Sequence, residues 1–403
     1  MRNFAILLLT VLLIHSCTKK SEINQWRGEN RDGIYHETNL LKEWPESGPE
    51  LLWDYEGIGN GYGAPTITND KIFVNSELDS LSHLFAFDLK GNLLWKSEYD
   101  SSWVVNFPGS RSTPTVIDDL VYVCSPMGEI VCFNVSDGSK VWSTNMIKDF
   151  AGVNTRFGFA QSLLVEGEKV YFAPGNKEKN VVALNRFSGE EIWTSKAKEE
   201  KPAFCSPLLI NLPTRNVLVT FSEFHLFGLD SETGELLWAL EDSIADIKGN
   251  TPLYVDGYIY ATSYGNGTVK LKLSEDGSEI TEIWRNNAIN NIQGGVITVA
   301  NKLYGSGQQK LQLRAVDANS GEFIDSLDVK RGVTIFADSM IYYYAEQGGF
   351  MNLIKPEPKL ELISSFRIEK GTNEHFAHPA IKNGVLYVRH GNTLLAYNIK
   401  NNE

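Results

Sequence analysis

The sequence predicts an all-β protein, a single eight-bladed β-propeller with four-stranded antiparallel blades and a ring closed by a strand from the N-terminal side. Three observations carry that expectation. A hairpin motif recurs: "AFDLKGNLLW", "CFNVSDGSKVW", "ALNRFSGEEIW" and "GLDSETGELLW", then two looser copies, "KLSEDGSEITEIW" and "AVDANSGEFIDSL". Each reads as an alternating strand, a polar turn with a glycine, and a second strand ending on a large apolar residue. The steps between tryptophans are even: 42 residues from Trp53 to Trp95 is the shortest and 51 from Trp142 to Trp193 the longest. Each step fits four short strands and their turns, with no helical period between. Finally, eight innermost strands are expected to begin near Ala64, Thr113, Ala160, Cys205, Thr251, Gly294, Val333 and Ala377. The eighth unit ends after three strands, whereas "ELLWDYEG", residues 50–57, is a Trp-bearing last strand with no blade before it. Pairing the two closes the ring and removes an exposed edge.

From the N-terminus, residues 1–16, "MRNFAILLLTVLLIHS", carry one charge and then an apolar run too short to span a bilayer, which reads as a secretory signal. "LIHSC" resembles a bacterial lipobox, and that resemblance implies cleavage before Cys17 and acylation of Cys17. Residues 17–49 then form a lipid-anchored tether and a strap. In "NQWRGENRDGIY" there is no period of two or of 3.6. The strap reading docks Trp26 in a groove, turns at Gly28 and Gly33, and pairs Arg27, Arg31 and Asp32 with each other or with blade backbone; a ligand site is the alternative. Truncation just before Glu50 is expected to leave a folded ring. Residues 50–403 make the propeller.

At a formal net charge of -13 the chain is a poor partner for nucleic acid. Beyond Cys17 it has Cys124, Cys132 and Cys205, with no "CxxC" or "CxxCH", so these read as small buried thiols and no haem site is indicated. Trp53, Trp95, Trp142, Trp193, Trp238 and Trp284 read as packing residues, with Leu327 and Phe366 standing in for tryptophan in blades six and seven. The strand-turn-Trp pattern resembles the tryptophan-docking repeat of pyrroloquinoline-quinone-type propellers, over residues 24–398. Among non-catalytic relatives, the architecture is similar to that of the propeller lipoproteins of the outer-membrane β-barrel assembly machinery. This resemblance implies partner binding through the loops of one face.

Antiparallel alternation sends the loops entering each first strand to one face. Those loops are rich in Phe, Tyr, Arg, Asn, Gln and His and poor in acids, whereas the opposite turns are acidic. Tyr62, Arg111, Arg156, Phe157, Phe159, Gln161, Lys248, Asn291, Gln293, Arg331, His375 and His378 are the expected binding residues around the axial mouth. That composition suits an anionic or π-bearing partner. Catalytic residues are not recognised: there is no "CC" pair, no paired carboxylate and no "GxSxG", and two histidines fall short of a zinc site. The sequence therefore reads as a non-enzymatic binding scaffold with no metal and no cofactor, a monomeric body in the cell envelope with a protein or peptide partner. Thr18, Lys19 and Lys20 favour the outer membrane, facing the periplasm. The alternatives are a quinoprotein oxidoreductase or quinone sensor, which would take pyrroloquinoline quinone, and a glycan-binding envelope protein.

Overall fold

The computed structural model describes residues 22–244 and 247–401, so the signal, the lipobox and Cys17 lie outside the described residues. Among the described residues every regular element is a strand, and the strands form eight sheets. Innermost strands begin at Thr66, Thr115, Leu164, Leu208, Leu253, Ile297, Gly332 and Ala380, close to the positions the sequence predicts. Within a blade the strands lie in chain order, as in blade 4: Leu208–Asn211, Asn216–Phe221, His225–Asp230, Leu236–Glu241. The loops entering a blade share the upper face with the loops between second and third strands. The other two turns of each blade lie on the lower face.

The leader contributes β1 (Ile23–Asn24), β2 (Ile34–Tyr35) and β3 (Glu50–Glu56). Strand β3 pairs antiparallel with the last strand, Thr393–Asn398, setting Trp53 opposite Ala396, and so completes blade 8. Blades then join by one repeated contact. The indole N–H of each outer-strand tryptophan donates to a backbone carbonyl of the next blade: Trp53 to Leu89 (3.0 Å), Trp142 to Arg186 (2.8 Å), Trp193 to Ser231 (3.1 Å), with Trp95, Trp238 and Trp284 each at 3.2 Å. The turn glycine of the next blade lies against the ring; a Cβ on Gly234 would stand 2.6 Å from the indole of Trp193. Glycine is thus required at that turn for its φ of 74° and for the close approach.

The two blades without tryptophan differ from the sequence reading. A β-bulge follows the tryptophan pair in each outer hairpin, for instance between Ala183 and Leu184. Aligned on the same bulge, the equivalent residues are Asp325, opposite Ala315, and Ser364, opposite Leu353. Leu327 and Phe366 are two residues too late, because an apolar strand end alone does not locate a bulge. Asp325 reaches the next blade by accepting the Leu360 N–H at 3.0 Å. Ser364 instead accepts the N–H of Trp44 at 2.8 Å. The buried Trp44 ring lies edge-on to Tyr342 and Phe366, and its own N–H donates to Met351 O at 3.2 Å. A tryptophan of the leader thus fills the joint that blade 7 leaves without one.

The strap crosses the axis from below. β1 adds antiparallel to Thr115–Ile117 of blade 2, and β2 adds parallel to Gly332–Ala337 of blade 7. Between them, fully buried Arg31 donates to Ser162 O (3.1 Å), Pro207 O (3.3 Å) and Leu163 O, while its Nε donates to Gln25 (2.7 Å). Arg27 donates to Val296 O (2.6 Å) and Asp32 O (3.0 Å), and Trp26 stands edge-on to His378 at 5.1 Å. Burial draws the guanidinium pKa values down, to about 10 for Arg27 and about 9 for Arg31. The pairing with blade backbone that the sequence suggests is present, and it joins blades 3, 4 and 6.

This changes the expectation for a truncated chain. Removing residues 1–21 should leave the melting temperature unchanged. Truncation before Glu50 removes Trp44, worth about 3–5 kcal/mol when a large aromatic leaves a core, together with both buried arginines. Thermal denaturation should show a drop of many degrees for the second truncation only.

Candidate functional site at the upper mouth

The loops entering five blades each send one aromatic ring to the upper face. They form an unbroken arc: Tyr62 to Phe376 (5.5 Å), Phe376 to Phe107 (6.2 Å), Phe107 to Phe157 (6.0 Å) and Phe157 to Phe204 (5.8 Å). Phe107, in the loop entering blade 2, therefore touches rings from the loops of blades 8 and 3. Of the expected binding residues, Arg156 is exposed, and Tyr62, Arg111, Phe157, Gln293, Arg331 and His375 are half-buried. Arg156 lies over the Phe157 ring at 5.1 Å. Arg111 is spent on its own loop, donating to Gly109 O (2.7 Å), Phe107 O (2.8 Å) and Asn106 O (3.1 Å). Arg331 pairs with the buried carboxylate of Glu346 at 2.5 Å.

Phe159, Gln161, Lys248, Asn291 and His378 are buried. Gln161 bridges to Ala173 through both its amide atoms, and Lys248 donates to Ile244 O (2.6 Å) and Glu223 O (2.7 Å). Asn291 O accepts from Asn250 at 2.8 Å. Desolvation drives the pKa of His378 well below its ordinary value, and that of His375 down to about 4, so neither histidine charges the mouth at neutral pH. His375 stacks on His390 at 3.7 Å and hydrogen-bonds the Tyr344 hydroxyl.

Below the arc, short polar residues two or three positions before the innermost strands form a belt. Ala64 N donates to Thr113 Oγ1 (2.9 Å), Thr113 N to Ser162 Oγ (2.9 Å), and Ser162 N to Ser206 Oγ (2.8 Å). Gly295 N donates to Asn250 Oδ1 (3.0 Å). These polar residues hold neighbouring blades together, which is why so much of the mouth composition is not free to bind.

Sequence reasoning missed one segment, the loop after the outer strand of blade 1. Val104 and Val105 are 71% and 74% exposed and Phe107 is 44% exposed, whereas Trp103 beside them is buried. The Trp103 N–H donates to Glu77 Oε1 (2.9 Å), and its indole N–H to Asn106 O (2.9 Å). "SSWVVNF" continues the apolar alternation of the strand before it, so no sequence signal marks where the strand stops. Glu77 is a buried acid whose pKa burial raises to about 7, against the pull of the Arg111 and Arg389 charges and of N–H donors from Trp103 and Gly109.

The lower face holds a cavity of about 1350 Å³ between the strap and the inner strands, lined by Glu29, Asp32, Tyr35, Glu166, Leu208 and Tyr254 among others. Among the described residues no group of three or more His, Cys, Asp or Glu is placed to hold a metal ion. Cys124, Cys132 and Cys205 are buried free thiols.

The family model described as outer membrane protein assembly factor BamB matches residues 34–155 and 82–326. A protein of that name from Kangiella koreensis is 28% identical over 192 residues, 45% of this chain and 43% of the relative. Another from Bordetella pertussis is 23% identical over 252 residues, 62% of this chain and 57% of the relative. The chain thus spans about half the length of the curated relatives it matches. Among solved structures, BamB from Moraxella catarrhalis superposes with a TM-score of 0.64 at 14% identity, covering 88% of this chain and 98% of that one. A europium-containing methanol dehydrogenase superposes with a TM-score of 0.68 at 11% identity, covering 91% and 90%. At such identities these likenesses show the fold alone.

The mouth geometry gives two expectations. Glu77 has a folded-state pKa raised above its ordinary value of 4.5, so its ionisation opposes folding. The penalty is absent at low pH, grows between about 4.5 and 7, and is complete above about 7. Glu77→Gln keeps an acceptor for Trp103 and should raise stability by up to about 3 kcal/mol at pH 8 and by little at pH 5. Denaturant midpoints at the two pH values measure this; an equal effect at both would refute it. Separately, Arg111→Ala should speed amide exchange across residues 103–109 and lower the melting temperature. Arg156→Ala should stay within about 0.5 kcal/mol of the parent.

Proposed function

The chain belongs to the outer membrane protein assembly factor BamB family, and on that premise we propose that it is a non-enzymatic scaffold of the bacterial envelope. It is held to the outer membrane by an acylated Cys17, faces the periplasm, and binds a protein partner with the upper face of a monomeric propeller. One observation carries the choice of face. Glu22, where the described chain begins, is held on the lower face by Lys382 (2.7 Å), which ends the first strand of blade 8, and by Asn69 (3.1 Å), in the turn between the first and second strands of blade 1. The tether from Cys17 to Glu22 reaches about 17 Å at most. An acylated N-terminus therefore keeps the lower face near the bilayer and turns the aromatic arc away from it, toward other proteins.

We take the scaffold to work without a quinone. The residues at the mouth do not fit a calcium-held quinone: Glu77, Glu346 and Glu374 are each engaged by a protein donor, Trp103 N–H, Arg331 and the Tyr62 hydroxyl respectively. Beneath them, Trp26, Arg27 and Arg31 of the strap are buried against the inner strands. Titration of the purified chain with pyrroloquinoline quinone and calcium should leave the quinone absorbance unchanged. A saturable shift would revive the oxidoreductase reading.

Cys17→Ser should move the protein into the soluble envelope fraction with an unchanged melting temperature. Loss of the gene from its host should lower the amount of folded, heat-modifiable outer-membrane β-barrel protein, and the wild-type copy should restore it. Normal barrel levels in the deletion strain would overturn the assembly role.

A further inference from the structure

We propose that His390 is a proton-operated clamp on the upper face: as an imidazolium it fastens the loop that enters blade 8, and loss of one ring proton loosens that loop. His390 ends the strand Val385–His390 and is 6% exposed. The loop over residues 370–373 wraps its ring. Nδ1 stands 2.8 Å from Lys370 O, and Nε2 stands 3.0 Å from Asn373 O. A backbone carbonyl can only accept. A neutral imidazole has one N–H, so its second nitrogen would turn a lone pair on a carbonyl oxygen at hydrogen-bonding distance. Only the doubly protonated ring satisfies both contacts, and a buried acceptor left without its donor is costly.

The loop is shaped to this ring. Gly371 has φ of +111°, and a Cβ there would stand 2.3 Å from His390 O and 2.6 Å from its Nδ1. Asn373 is also left-handed, at φ of +64°. Its side chain donates to Asn60 Oδ1 (3.0 Å) in the loop entering blade 1, and Thr372 N donates to His390 O (3.4 Å). Two left-handed residues thus bring two carbonyls onto one histidine.

The groups around His390 leave the charge to it alone. From the same loop, His375 stacks on it at 3.7 Å with the ring planes 20° apart. Burial pushes the His375 pKa down to about 4, helped by the charges of His390 and Arg367, and the Tyr344 hydroxyl of blade 7 hydrogen-bonds its Nδ1. Lys370 turns its ammonium to Asp54 (2.8 Å), and Glu374 accepts from the Tyr62 hydroxyl (3.0 Å). Arg367 and Glu369 are exposed. On the strand itself, Arg389 points to the other side, onto Asn75 O and Ser76 Oγ. Among the described residues the ring nitrogens of His390 meet two carbonyls and no carboxylate, so the shape of the loop is what holds the second proton.

Both bonds exist while the ring carries two protons. As the pH rises and one proton leaves, one bond becomes a contact between two lone pairs, and the loop is freed at that end. The clamp is therefore closed at lower pH and open at higher pH, across the range of about 5 to 8 in which histidine ordinarily changes charge. Three residues beyond Asn373, Phe376 joins Tyr62 (5.5 Å) to Phe107 (6.2 Å) in the aromatic arc. Opening the clamp loosens the blade 8 end of that arc.

The experiment uses the full chain, purified in detergent and labelled with 15N-histidine. Two-bond proton–nitrogen spectra read the protonation of each ring nitrogen, and His390→Gln assigns the signals. At about pH 5 both nitrogens of His390 should read as N–H; at about pH 8 one of them should not. Over the same interval the exchange protection of the amides in residues 370–376, corrected for intrinsic base catalysis, should fall by about tenfold. His390→Gln should abolish that fall. A His390 ring with a single N–H at both pH values would overturn the imidazolium, and a ring that stays doubly protonated at both would overturn the switch. Loop protection that falls equally in His390→Gln would assign the pH response to another group and refute the clamp. Should that variant not fold, the ring nitrogens of the wild-type chain decide the matter alone.

Discussion

The pairing of β3 with the last strand is the contact on which the ring depends. Each blade touches only its neighbours, so one open joint would leave two edges unpaired and expose two blade faces. The joint is reinforced on every side. Trp53 docks on blade 1, Trp44 fills the space between blades 7 and 8, and Leu41 N donates to Ile399 O. Arg389, fully buried, donates to Ser76 Oγ, Asn75 O and Gly59 O across the junction of blades 8 and 1. Residues far apart in sequence are concentrated where covalent continuity is missing.

The strap extends the same logic to the axis. Arginine serves there because its fork of donors can take carbonyls from several blades at once, which a lysine's single ammonium does less well. Burying two guanidinium groups lacking a bonded carboxylate is costly, and the carbonyls of blades 3, 4 and 6 offset that cost only when all stand in place. The strap's hydrogen bonds and the belt of Thr113, Ser162 and Ser206 engage polar groups near the axis. The aromatic arc and the loop after blade 1 lie outside them, on the outer part of the upper face.

The blade number, the starts of the innermost strands and the closing role of Glu50–Glu56 were legible in the sequence, because each follows from a local repeat: alternation, a glycine turn and a tryptophan. Even Arg27 and Arg31 were legible as backbone partners of a strap. The roles of Trp44, Asp325 and Ser364 were not, since each acts across a joint between segments that no repeat unit contains. The mouth divided along the same line. Composition named the loops, but it could not separate Arg156, which is free, from Arg111, which is consumed by its own loop carbonyls. Nor could it mark Val104 and Val105 as exposed, because alternation records which side of a strand faces the core only while the strand lasts. The sequence by itself determined the ring, since periodic burial is a local property of the chain. Tertiary structure alone decided which polar and apolar groups remain exposed and unengaged, since that depends on whether a neighbouring blade has already taken their hydrogen bonds and contacts.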